Sequence, residues 1–248
     1  MLSYNMTADE IMNRNSELAI IPVGSIEQHG PHLPVATDWY LATAFGQGIA
    51  EATGGFLLPA LPISNCREHM GKKGSVWMNP DTFYHMLSDI LLSIAEQGFK
   101  KAVTVQCHGG IFVFPSVIRQ INATHNPDFM VMNVDIGTIF SRIREEGIVE
   151  TDVELHAGEI ETSLMLHIAP ETVHMELAHD FIPTVPRSYL GYGSIFRASP
   201  TGVWGIPSKA DANKGKQILE RGIELSIEEM ENAFQYMSSK EKFGYSNF

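Results

Sequence analysis

Three side chains able to hold a divalent cation fall within twelve positions of this chain: Glu27, His29 and Asp38. The first two lie in the run Gly24-Ser25-Ile26-Glu27-Gln28-His29-Gly30-Pro31-His32-Leu33-Pro34. A carboxylate and an imidazole two residues apart in extended backbone project to the same side. The glycines and prolines around them specify a tight loop, and Asp38 opens the next helix, so the chain can return it towards the other two. Such oxygen and nitrogen donors suit Zn²⁺ or Mn²⁺. A single acid in such a loop would more often cap a helix. Three donors together after one strand favour a metal site.

A second segment, Gln106-Cys107-His108-Gly109-Gly110, places His108 at the end of another strand, with glycines that let backbone approach a bound group. Cys107 beside it suggests a thiol–imidazole pair. Neighbours on a strand point to opposite faces, so Cys107 is read as a small buried hydrophobe. A third segment runs Leu155-His156-Ala157-Gly158-Glu159-Ile160-Glu161 into an apolar helix. Glu159 and Glu161 stand about 200° apart on a helix of 3.6 residues per turn, so only one can face a shared pocket. The other supports it or interacts with the helix N-terminus. The residues alone leave open which does which. His156 precedes the helix and is free to reach into the site.

The elements that position these groups are short Val/Ile/Leu-rich runs separated by amphipathic stretches. Residues 17–23, 56–60, 102–107 and 129–134 read as buried strands. Helices are expected over 39–52, from Asn79-Pro80-Asp81 to just before Gly98, and over 114–125, 158–168 and 209–237. Ser208 with Asp211 reads as a capping-box variant for the last. Phe181 to Pro207 reads as long surface loops. Near-continuous apolar strands alternating with helices predict an α/β, three-layer α/β/α sandwich with a mostly parallel central sheet, covered on both faces. Ligands bind such sheets outside the carboxyl ends of the strands, where the candidate residues fall.

Bulk composition agrees. The 248 residues suit a single domain over 1–248, and 44% apolar with 19% charged residues is ordinary for an enzyme. Two cysteines make no disulfide framework. The N-terminus is not a secretory signal and no apolar run is long enough to span a bilayer, so a cytoplasmic protein is expected. A net charge of −12, from 17 basic against 29 acidic groups, disfavours nucleic-acid partners.

Taken together, the segments PVGSIEQHGPHLPVATD (22–38), GKKGSVWMNPDT (71–82), QCHGG (106–110), HAGEIETSLML (156–166) and GVWGIPSKADANKGKQIL (202–219) resemble the creatininase (creatinine amidohydrolase) family, in family order and over nearly the whole chain. The resemblance implies two divalent metal ions, zinc and/or manganese. Glu27 and His108 would hold one, His29 and Glu161 the other, with Asp38 bridging. It implies His156 as the catalytic histidine; His156, or a proton relay through Glu159, is expected to protonate the departing group, and Gly109, Gly110, His69 and Ser75 are expected near the substrate. It further implies a homo-oligomer, expected as a hexamer, acting on a small molecule. Creatininase carries a functional glutamate where this chain has Gly110, and a tryptophan where it has Asp152. Those departures argue against creatinine itself.

The expected reaction is therefore hydrolysis of a C–N bond in a small cyclic or compact amide. Hydrolysis of a cyclic ketone such as a dehydro-inosose is the alternative. Competing classes are an inactive metal-binding relative, a thiol hydrolase using Cys107, and an acid cluster with a purely structural role.

Overall fold

The computed structural model describes residues 1–238; the last ten positions of the expected 1–248 domain lie outside the described residues. The element order is β1 (Leu2–Ser3), α1 (Ala8–Arg14), β2 (Leu18–Val23), α2 (Thr37–Thr53), β3 (Phe56–Leu57), α3 (Pro80–Glu96), β4 (Lys101–Gln106), α4 (Phe114–His125), β5 (Met130–Asp135), α5 (Ile136–Glu145), α6 (Glu159–Ile168) and α7 (Ala212–Ser238). The five strands form one parallel sheet in the order β1-β3-β2-β4-β5.

Alternation along the strands builds two cores. Ala19, Ile21, Val23, Ala102 and Val131 pack with Phe83, Leu87 and Leu91 of α3 and Phe114 and Val117 of α4. Ile20, Val103, Val105, Met132 and Val134 face the other way, against Phe45 and Ile49 of α2, Ile139 of α5, Leu164 of α6 and Ile218 and Leu225 of α7. Both faces are thus covered, giving the three-layer α/β/α sandwich. Each fully buried Leu, Ile or Phe here contributes roughly 1.5–3 kcal/mol of transfer free energy.

The chain leaves β2 in one direction through α2 to β3, then returns over the opposite face through α3 to β4. Neighbouring β2 and β4 therefore form the switch point of the sheet, where connecting chain parts and leaves a crevice. Their register pairs Val23 with Gln106, so the loops after both strands emerge at one level.

Several boundaries differ from the sequence expectation. Strand β3 is shorter than expected, ending at Leu57 where the chain turns away, and β1, α1 and α5 were not anticipated. Helix α1 carries a complete capping box from Thr7 and Glu10. The expected Ser208 cap does not form: the Ser208 hydroxyl bonds Asp180 Oδ2 at 2.6 Å. Asp211 begins α7 instead, its Oδ1 accepting the N–H groups of Asn213 (2.9 Å) and Lys214 (3.1 Å). The stretch 181–207 is not all surface, since Val203 and Trp204 are buried and Trp204 bridges to His156. No helix among the described residues is long and apolar enough to cross a membrane.

Candidate metal centre

The loop after β2 is pressed against the start of α2. A Cβ on Gly24 would sit 2.5 Å from the Asp38 carbonyl oxygen, so only glycine permits this approach. The result is that Asp38, in the first turn of α2, faces Glu27. Ser25 Oγ lies 2.7 Å from Glu27 Oε2 and 3.0 Å from Asp38 Oδ2, holding the two carboxylates together. His29 Nδ1 lies 3.1 Å from the Glu27 carbonyl, which can only accept, so Nδ1 carries the proton. On the neutral ring the lone pair of Nε2 points inward, 3.2 Å from Asp38 Oδ1 and 3.9 Å from Glu161 Oε2.

From the end of β4, His108 Nδ1 reaches to 3.0 Å from Glu27 Oε2 and 3.2 Å from Asp38 Oδ2. Asp38 therefore turns one oxygen to His29 and the other to His108. Glu161 arrives on the first turn of α6 after a bend at Ala157, whose φ of 51° is left-handed for a residue bearing a Cβ. The Ala157 N–H donates to Glu161 Oε2 at 2.5 Å and fixes the carboxylate.

Three carboxylates so close in a buried space oppose one another. Burial, then Asp38, raises the Glu27 carboxyl above its ordinary range, against the pull of His108 and His29. Burial lifts Glu161 to about 7, with Asp38 and Glu27 adding to the effect. For His29, burial favours the neutral ring, but Asp38, Glu161 and Glu27 outweigh it and raise the pKa to about 10. Burial likewise opposes the charge on Asp38, yet His29 and His108 hold its carboxyl far below the usual carboxylate range. The cluster thus demands positive charge. Glu27 Oε1 and His29 Nε2 are buried without a hydrogen-bond partner among the described residues, a condition that costs about 1–3 kcal/mol each. Both are donor atoms that a cation would satisfy.

Ligand atoms of Glu27, Asp38 and His108 all lie within 4.8 Å of one another, as do those of His29, Asp38 and Glu161. Asp38 belongs to both groups. Two triads sharing one carboxylate, with imidazole and carboxylate donors only, fit a pair of divalent cations.

His156 stands over this cage. Its Nε2 lies 2.6 Å from the Gln28 carbonyl and so carries the proton, leaving Nδ1 bare and 3.8 Å from Glu27 Oε1. Burial and the neighbouring His29 push its pKa well down, so the ring is neutral. His69 lines the cavity beside the cage and is tied to the metal loop. Its Nδ1 meets the Gln28 amide at 2.9 Å and its Nε2 lies 3.3 Å from Glu27 Oε1. Gly109 and Gly110 line the adjoining cavity of about 810 Å³, together with Glu27, His108, His156 and Glu161.

The structure does not bring Ser75 or Glu159 to that cavity. Ser75 Oγ accepts the Gln28 N–H at 3.0 Å and braces the loop from outside. Glu159 points the other way, accepting the N–H groups of Glu150 (3.1 Å) and Thr151 (2.9 Å) and pairing with Lys214. Cys107 is buried in the core on the α2 side, and burial drives its thiol pKa well up, the reverse of an activated nucleophile. Sequence reasoning missed Gln28, Glu68 and Arg187. Gln28 lies between two expected ligands and was detectable by position. Glu68 and Arg187 line the cavity from segments with no motif of their own.

The family model described as creatininase, creatinine amidohydrolase, matches residues 4–230. A 3-dehydro-scyllo-inosose hydrolase of Thermotoga maritima is 30% identical over 247 residues, spanning 87% of this chain and 78% of that protein. A mycofactocin precursor peptide peptidase of Mycobacterium ulcerans is 30% identical over 218 residues, spanning 81% and 79%. Among solved structures, a creatinine amidohydrolase (creatininase) superposes with a TM-score of 0.77 at 25% identity, covering 94% of this chain and 98% of that one.

Proposed function

This chain belongs to the creatininase family of hydrolases, and we propose that it hydrolyses a C–N bond in a small cyclic or compact amide. The observation that carries the reading is the division of Asp38 between His29 and His108, 3.2 Å from each. In this reading Glu27 and His108 would hold one cation and His29 and Glu161 the other, with Asp38 available to both. What such ions supply when bound, zinc or manganese by donor type, is a lowered pKa for water and polarisation of a carbonyl oxygen.

The chain's own groups do the rest. His29 presents a fixed tautomer because the Glu27 carbonyl holds its outer proton. His156, neutral and anchored through Nε2 to the Gln28 carbonyl, offers Nδ1 to the reacting centre. There it takes the proton of the attacking water and passes it to the departing nitrogen, so that water adds across the bond and the imidazole ends neutral again. We assign this transfer to His156 without a relay through Glu159, whose carboxylate is engaged on the far side of α6. A cavity of about 810 Å³ suits a small organic substrate. Arg187 opens on it beside Gly109, a cation for electron-rich oxygens of the substrate.

Cleavage of a cyclic ketone is the second reading, favoured by the 30% identity to the inosose hydrolase. The two reactions share attack of activated water on a carbonyl and differ in the bond that breaks. Incubating the metal-loaded protein with lactams, compact amides, short peptides and cyclic polyol ketones, and following the gain of one water by mass, separates them. Turnover of the amides supports the first reading. Turnover of ring ketones alone replaces it with the second, and no turnover across the set favours an inactive relative.

We further place the protein in the cytoplasm as one domain and as a homo-oligomer, a hexamer by family resemblance. The exposed Phe112, Tyr189 and Tyr192 support contacts between copies, and sedimentation of the metal-loaded chain tests the assembly.

A further inference from the structure

Gly110 leaves no room for a side chain. A Cβ placed there would collide with the Glu68 carboxylate and come within 2.5 Å of His108 Nε2. Glu68 fills that space from a different part of the chain, the turn Arg67–His69. The turn is tied to the metal loop on both sides. Ser64 Oγ donates to the Gly24 carbonyl at 2.7 Å, Val76 N to the Ile26 carbonyl at 2.9 Å, and Gln28 reaches His69.

Glu68 Oε1 lies 3.2 Å from His108 Nε2, in contact though off the line of a hydrogen bond, and Nε2 is buried with no other partner among the described residues. The opposite nitrogen, Nδ1, faces Glu27 and Asp38. An imidazole that gives one nitrogen to a cation carries its proton on the other, and that proton needs an acceptor. We propose that Glu68 is that acceptor: a positioning residue that orients His108 as a metal ligand and occupies the space that a side chain at 110 would take. The inference rests on the reading of His108 as a ligand. It adds a carboxylate from outside the five cage residues and explains why a glycine stands at 110.

Binding of Co²⁺, followed by equilibrium dialysis and by its visible absorption spectrum, tests this on the native chain, Glu68→Ala, Glu68→Gln and the double variant Glu68→Ala with Gly110→Glu. Loss of the acceptor weakens one of two sites about 10- to 100-fold and alters the spectrum, while the unfolding midpoint of the metal-free protein stays as in the native chain. Glu68→Gln keeps an oxygen acceptor and stays within a few-fold of native. The double variant regains affinity, because a glutamate at 110 can enter the space that Glu68 has left. Native affinity and an unchanged spectrum for Glu68→Ala would overturn the proposal, as would a Gln variant as impaired as the Ala one. A native chain that binds no Co²⁺ removes the cage reading itself, whereas native-like binding by Glu68→Ala removes this inference alone.

Discussion

Glu159 and Glu161 stand two residues apart in the first turn of α6, and their carboxylates serve opposite sides of it. Glu161 Oε2 faces His29 in the cage at 3.9 Å, while Glu159 accepts backbone N–H groups from Glu150 and Thr151 and pairs with Lys214 of α7. A helical step of two residues turns the side chain through about 200°, so one helix start supplies both a cage ligand and an anchor to the last helix.

The two acids should therefore fail differently. Glu159→Ala breaks a buried pair and leaves the N–H groups of 150 and 151 unmet, which should cost about 3 kcal/mol in denaturant unfolding. Its metal content and KM should match the native chain. Glu161→Ala should show the converse, loss of metal with little loss of metal-free stability. Equal stability of the Glu159 variant would refute the anchoring role.

How far the sequence carried can be seen at these two residues. Helical periodicity showed that they must diverge, but it could not say which faced the site. That depends on the bend at Ala157 and on where α7 lies, and both are tertiary facts. Glu27, His29 and Asp38 were legible because a short, constrained loop holds them together. His108 was legible because β2 and β4 end in register. Glu68 left no trace, since its place is decided by the loop 64–78 bonding to a segment some forty residues earlier. The Ser208 cap failed for a similar reason: Asp180, distant in sequence, takes its hydroxyl.

His156→Ala should retain both metals and the fold but lose turnover by roughly 10²- to 10⁴-fold, the usual contribution of a proton-transfer group. KM should move little while kcat falls, because the change removes a proton-transfer group and no cage ligand. Steady-state kinetics on a substrate identified in the screen, with elemental analysis of the same sample, checks this. Unchanged kcat with metals retained would refute the role.

Glu154 offers a test by pH. Burial raises its carboxyl to about 8, with Glu161 and Glu159 adding, against the pull of N–H bonds from Ile160 and Glu159. The folded chain thus holds this proton more tightly than the unfolded chain, whose value is near 4.5. Its stabilising contribution is full below about pH 4.5 and is lost as pH rises through about 8. Glu154→Gln keeps an acceptor and cannot ionise, so its stability relative to the native chain should grow from pH 5 to pH 8 in urea unfolding. A constant difference across that window would show that the carboxyl is not held protonated.

The most direct measurement is the number of cations bound per chain in the native protein and in Asp38→Ala, by equilibrium dialysis against Zn²⁺ or Mn²⁺ followed by elemental analysis. If one carboxylate spans two sites, the native chain binds two and the variant loses most of both. Two cations still bound tightly by Asp38→Ala, or none bound by the native chain, would contradict the account.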